Sequence, residues 1–156
     1  MSISLFAHNK SAYHAALTML RRTGKAAIIH PTGTGKSFIG FKFCEDFPEK
    51  RICWLSPSEY IFRQQLDNLT ANNCDAPTNI VFLTYARLMV MGAEEIKELR
   101  PDLIILDEFH RCGAEQWRTG IQTLLDANPT VPLLGLSATN IRFLDNQRDM
   151  AKELFD

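Results

Sequence analysis

A chain of 156 residues is about the size of one domain and can bury a core without a disulfide or metal staple. Its 46% hydrophobic and 22% charged residues exclude a disordered chain. A balance of 17 basic and 18 acidic residues, net charge -1, excludes a polybasic grip on nucleic acid. It leaves room for a local basic groove.

Residues 9–22 read as a helix with Tyr13, Leu17 and Leu20 on one face, ended by Gly24. Lys25–His30 is a short apolar run and reads as a buried strand. Residues 36–46 follow as a helix whose Phe38, Ile39, Phe41 and Phe43 occupy much of its circumference, the pattern of a buried helix. The alternation then recurs. Arg51–Ser56 reads as a strand and Glu59–Ala71 as a helix. Ile80–Thr84 reads as a strand, with helical turns at Tyr85–Val90 and Glu94–Leu99. Asp102–Asp107 reads as a strand and Glu115–Leu125 as a helix. Pro132–Ser137 is the last strand and Asn146–Phe155 the last helix. Continuous Ile, Leu and Val strands alternating with helices predict an α/β fold, a mainly parallel sheet covered on both faces. Ligands of such sheets bind beyond the carboxyl ends of the strands.

The four cysteines, Cys44, Cys53, Cys74 and Cys112, form no Cys-x-x-Cys pair, and free thiols in a reducing compartment are expected. Met1–Phe6 has neither a basic leader nor a long apolar stretch. Apolar runs such as Leu103–Leu106 are too short to span a bilayer. The expectation is a cytoplasmic monomer with no membrane partner. Trp54 reads as core and Trp117 as surface packing. Arg21, Arg22 and Lys25 read as a solvated helix end, and no second ligand is spaced to make His14 or His30 a metal site.

Three loops at the expected carboxyl edge carry unusual residues. His30-Pro31-Thr32-Gly33-Thr34-Gly35-Lys36-Ser37 joins a strand to a helix. Its glycines let successive N–H groups wrap a phosphate, and the helix N-terminus adds its positive dipole end. Lys36 can reach the β- and γ-phosphates and the Ser37 hydroxyl can ligate Mg²⁺; His30 stands where the pattern has its first Gly. Asp107-Glu108-Phe109-His110 follows a fully apolar strand. An acid there is costly unless it meets a cation, so Asp107 is expected to bind Mg²⁺. Glu108 is suited to deprotonate a water attacking the γ-phosphate. Ser137-Ala138-Thr139 ends the last strand; taken alone it is also compatible with an ordinary polar turn.

Together and in this order, the three loops resemble motifs I, II and III of superfamily-two helicases. More narrowly, Asp107-Glu-Phe-His110 resembles the DExH-type proteins related to type III restriction-enzyme motor subunits. The resemblance implies a three-layer RecA-like P-loop NTPase domain over residues 1–156, the first of two such domains. The second, with its arginine finger, is expected outside this sequence as a partner. The implied activity is ATP hydrolysis by a nucleic-acid-dependent helicase or translocase, with ATP and Mg²⁺ as cofactors and DNA expected ahead of RNA. The isolated domain is expected to hydrolyse ATP poorly.

By the same resemblance, Pro31, Thr32, Gly33, Thr34, Gly35, Lys36 and Ser37 hold the nucleotide, and Ser37 and Asp107 hold the metal. Lys36, Asp107 and Glu108 are catalytic. His110, Ser137 and Thr139 couple the nucleotide state to nucleic acid. Ser56, Pro57 and Arg63 fall at motif Ia, and Thr84 and Tyr85 near motif Ib, where the family contacts a sugar-phosphate backbone without reading sequence. The family's adenine-reading Gln is replaced in His8-Asn9-Lys10, where Asn9 is the candidate substitute with a shorter reach. Asn140 stands where Pro is common. Two other classes compete: a nucleotide-dependent adaptor without motor activity, and a small-molecule kinase. The Asp-Glu-Phe-His and Ser-Ala-Thr pair opposes the kinase.

Overall fold

A computed structural model describes residues 2–29, 35–109, 115–137, 141–142 and 148–149. Helix α1 (Ala7–Thr23) leads into β1 (Lys25–Ile29), α2 (Lys36–Asp46), β2 (Ile52–Ser56) and α3 (Glu59–Ala71). Then come β3 (Ile80–Thr84), α4 (Tyr85–Val90), α5 (Ala93–Glu98), β4 (Leu103–Asp107), α6 (Glu115–Ala127) and β5 (Leu133–Ser137). Strands β6 (Ile141–Arg142) and β7 (Arg148–Asp149) form a separate antiparallel pair. The main sheet has the order β1-β5-β4-β2-β3, with every pairing parallel.

Two hydrophobic clusters show the layering. Alternate residues of a strand face opposite sides of its sheet. Ile52, Trp54, Leu103 and Ile105 share one cluster with Tyr13, Ile39, Phe41 and Phe62 of α1, α2 and α3. Cys53, Leu55, Ile104 and Leu106 share the other with Leu88, Ile96, Ile121 and Leu124 of α4, α5 and α6. The three central strands β5, β4 and β2 are buried at every position, which is why their sequences run apolar without alternation. The edge strands β1 and β3 are only partly buried.

Local sequence explains the helix ends. Gly24 caps α1 in the left-handed region at φ 78°, its N–H donating to the Leu20 carbonyl. Arg21 and Arg22 lie in the last turn, where cations meet the negative end of the helix dipole. Helix α2 buries Ile39, Gly40, Phe41, Phe43 and Cys44, and Gly40 lets it press on the sheet. A Cβ there would stand 2.6 Å from Trp54 Cη2. Trp54 is fully buried, as expected, and stacks on Phe41 at 4.8 Å. The Asn79 side-chain amide donates to the carbonyls of Cys44, Phe47 and Lys50 at 3.0–3.1 Å. It thereby satisfies the α2 C-terminus from a segment more than 25 residues away. Cys44 and Cys53 are buried free thiols whose pKa burial pushes up to about 12.

One expectation fails. Residues 148–149, assigned to a last helix over 146–155, pair as a strand with 141–142. The polar run Asp145-Asn146-Gln147 has turn composition, and strand pairing overrides the short helical pattern. The remainder of that segment lies outside the described residues.

Candidate active site

Strand β5 lies between β1 and β4, so the ends of all three strands meet at one edge of the sheet. Ser137 pairs in register with Ile29 and Leu136 with Asp107. Neighbouring strands run about 4.8 Å apart, which places the β1 and β4 ends ~10 Å from each other with Ser137 between them. The motif order along the chain thus becomes a cluster in space. Ser137 is fully buried. His30, Pro31, Thr32, Gly33, Thr34, His110, Cys112 and Thr139 lie outside the described residues.

Gly35 ends the candidate phosphate loop at φ 78° and is the N-cap of α2. A side chain is strained at that angle, and a Cβ would also stand 3.1 Å from Asn9 Nδ2. Lys36 and Ser37 occupy the first turn of α2, where the helix dipole favours an anion. Lys36 Nζ lies 3.7 Å from Glu108 Oε1, with side-chain exposures of 12% and 24%. The cation expected to meet phosphate is therefore held against the carboxylate expected to act as base. Glu108 itself sits at φ 54°, a left-handed conformation that costs a non-glycine residue of order 1 kcal/mol or more.

Asp107 is 1% exposed. Its Oδ2 accepts a hydrogen bond from Gln65 Nε2 at 3.0 Å. Its main-chain carbonyl accepts one from the Tyr85 hydroxyl at 2.8 Å. Its Oδ1 is buried with no hydrogen-bond partner among the described residues. Burial raises the Asp107 pKa from 3.8 to about 6; the Gln65 hydrogen bond opposes this, the Glu108 charge adds to it, and the Lys36 charge and the Glu108 backbone N–H lower it. A buried carboxylate with an orphaned oxygen is unfavourable alone and suits an Mg²⁺ site, where the cation or its waters meet that oxygen.

The remaining expected residues are placed as follows. Asn9 is fully buried, its Nδ2 3.5 Å from the Gly35 carbonyl, so its side chain supports the end of the phosphate loop from below. Ser56 is also fully buried, its hydroxyl 3.4 Å from the Ser58 carbonyl. Tyr85 is fully buried between Asp107 and Trp117, whose ring stacks on it at 5.3 Å. The side chains of both Ser56 and Tyr85 are thus turned into the protein. The short apolar runs containing them conceal which face each side chain takes. Pro57 is half-buried. Thr84 caps α4 by accepting from Arg87 N at 2.9 Å. Ser58, which the sequence reading passed over, caps α3 by accepting from Ile61 N at 3.2 Å. Arg63 is exposed and paired with Glu59 at 2.8 Å. Gln65 was also missed; its only sequence signal is a polar residue on the Phe62–Leu69 stripe of α3.

The fold is shared with solved structures of an ATPase core and a helicase. A Sulfolobus solfataricus SWI2/SNF2 ATPase core in complex with dsDNA superimposes with a TM-score of 0.66 at 14% identity, covering 95% of this chain and 35% of that one. The Escherichia coli DEAH/RHA helicase HrpB does so with a TM-score of 0.66 at 24% identity, covering 83% of this chain and 19% of that one. The chain thus spans about a third and a fifth of those two proteins. No curated protein sequence matches it. The five-stranded parallel sheet with its helices matches RecA-like helicase core folds. The model of the family "Type III restriction enzyme, res subunit" matches residues 2–142, and the chain belongs to that family.

Proposed function

We propose that this chain is the ATP-binding RecA-like domain of a nucleic-acid-dependent ATPase, a helicase or duplex translocase. The observation that carries the reading is Asp107: fully buried at the carboxyl edge, with one oxygen orphaned, beside the Lys36–Glu108 pair. Structural economy gives no reason to bury that carboxylate, whereas a nucleotide-bound cation does.

In this reading the backbone of Pro31–Gly35 and the Lys36 ammonium bind the phosphates. Ser37 and Asp107 hold Mg²⁺, which when bound neutralises charge developing on the phosphates. Glu108 orients a water and accepts its proton on the carboxylate as the oxygen attacks the γ-phosphate, while the bond from the γ-phosphorus to the bridging oxygen breaks and ADP leaves with that electron pair. The Lys36 contact, 3.7 Å from Nζ to Oε1, holds Glu108 in place until phosphate claims the ammonium. His110, Ser137 and Thr139 relay the nucleotide state to nucleic acid, which is met by Pro57, Arg63 and Thr84. A second RecA-like domain supplies the arginine finger, worth roughly 10³–10⁵ in rate. Duplex DNA, present on the Sulfolobus ATPase core, is the partner to test first, and RNA second. No helix among the described residues is long and apolar enough to cross a membrane.

The test is calorimetric titration with ATP and Mg²⁺. The wild-type chain binds, and Lys36→Ala loses most of its affinity. Equal affinity in both removes the phosphate-loop assignment.

A further inference from the structure

Helix α3 carries an unusual residue on its buried face. Phe62 and Leu69 are the buried residues of this helix. Gln65 lies three residues after one and four before the other, which places it on the same stripe. Arg63 and Gln64 are exposed. A Gln on a core-facing stripe is costly unless its amide is bonded. Its Nε2 donates to Asp107 Oδ2 at 3.0 Å, across 42 residues of sequence. An ionised carboxylate only accepts, so the amide must present its N–H side.

The bond leaves a specific remainder. Gln65 Oε1 and Asp107 Oδ1 are both buried without a hydrogen-bond partner among the described residues. Two acceptors left beside one hydrogen bond call for donors. Water held on a divalent cation is such a donor. The Gln65 bond occupies Oδ2, fixes the rotation of the carboxylate and leaves Oδ1 for the cation.

We propose that Gln65 is a positioning residue that fixes the Asp107 carboxylate for the Mg²⁺ of a bound nucleotide. The proposal rests on the nucleotide reading above and adds to it a residue outside the three motif loops. Gln65 touches neither nucleotide nor metal; it acts through Asp107.

The test follows binding of a fluorescent ATP analogue to the 156-residue chain while MgCl₂ is titrated, and repeats the binding in EDTA. Gln65→Leu keeps the bulk and removes the donor; Gln65→Met keeps the length and likewise removes it. Gln64→Leu, its exposed neighbour, is the control. Removing an outer partner of a metal ligand typically costs 10–100-fold in metal affinity. The Mg²⁺ concentration for half-maximal binding should therefore rise about 10-fold or more in both Gln65 variants, with metal-free affinity at the wild-type value and Gln64→Leu unchanged. A structural defect in α3 instead lowers metal-free and metal-dependent binding together, and that result overturns the proposal. So does a wild-type Mg²⁺ requirement in both variants. Thermal melts in EDTA identify a variant that has failed to fold, and the other then decides. A wild-type chain with no Mg²⁺-dependent nucleotide binding brings down the nucleotide reading itself, a result distinct from either.

Discussion

Asp107→Asn should stabilise the free protein while disabling its site. Burial lifts the Asp107 carboxyl from 3.8 to about 6, a gap of about two pKa units, or about 3 kcal/mol at 1.36 kcal/mol per unit. The sign follows from where the protons sit. Below pH 3.8 both folded and unfolded chains are protonated, and the group contributes nothing. Between pH 3.8 and about 6 the unfolded chain ionises first, so stability falls as pH rises. Above about pH 6 the full cost of the buried charge remains. An Asn is neutral throughout and still accepts the Gln65 hydrogen bond. The variant should gain about 3 kcal/mol at pH 8 and roughly half of that at pH 5. At about 2–4 °C per kcal/mol for a chain of this size, the pH 8 gain is several degrees in melting temperature. Thermal unfolding in EDTA, without nucleotide, at pH 8 and pH 5 measures both. A variant less stable than wild type at pH 8, or a gain independent of pH, refutes the argument that the buried carboxylate is maintained against stability.

Three further substitutions test the frame around the site. Tyr85→Phe removes the hydroxyl that binds the Asp107 carbonyl and should cost about 1–3 kcal/mol in a urea titration. Because Tyr85 is buried, nucleic-acid affinity should hold; a selective loss of that affinity at unchanged stability would restore Tyr85 as a direct contact. Gly40→Ala places a methyl against the Trp54 ring, and overpacking of about 1–3 kcal/mol should exceed the helix-propensity gain of about 1 kcal/mol. In a Trp54→Phe background, which lacks the contacting ring atoms, the same change should stabilise; an unchanged sign shows that the α2–β2 contact is not limiting. Asn79→Ala strips the donor shared by three carbonyls and should lower stability by about 1–3 kcal/mol, read as the chemical-denaturation midpoint. A neutral result means that water replaces the amide.

The alternation of apolar strands and helices was legible because the central strands are buried on both faces, leaving uninterrupted runs such as Leu103–Leu106. The boundaries of Lys36–Asp46, Glu59–Ala71 and Ile80–Thr84 follow from the same pattern. Gly-Thr-Gly-Lys-Ser and Asp-Glu drew attention to the carboxyl edge because each breaks an apolar context at a strand end. Side-chain direction was not legible. Ser56 and Tyr85 adjoin strand ends where the chain turns, and only the hydrogen bond to the Asp107 carbonyl and the stacking on Trp117 of α6 show that Tyr85 points inward. Asn9 lay near the expected adenine-reading position, but its burial beside Gly35 depends on how α1 packs against α2. Gln65 was hidden for a different reason. Its partner lies 42 residues away, and a lone Gln in an amphipathic helix does not announce such a bond. The β6–β7 pair was missed because a two-residue strand carries almost no periodicity.

The most direct measurement is the steady-state ATPase rate of the intact protein with and without duplex DNA or RNA, for wild type, Lys36→Ala and Glu108→Gln. The account predicts a rate that rises with nucleic acid in the wild type and is lost in both variants, with Glu108→Gln still binding Mg²⁺-ATP and Lys36→Ala no longer doing so. Wild-type turnover in both variants would contradict it.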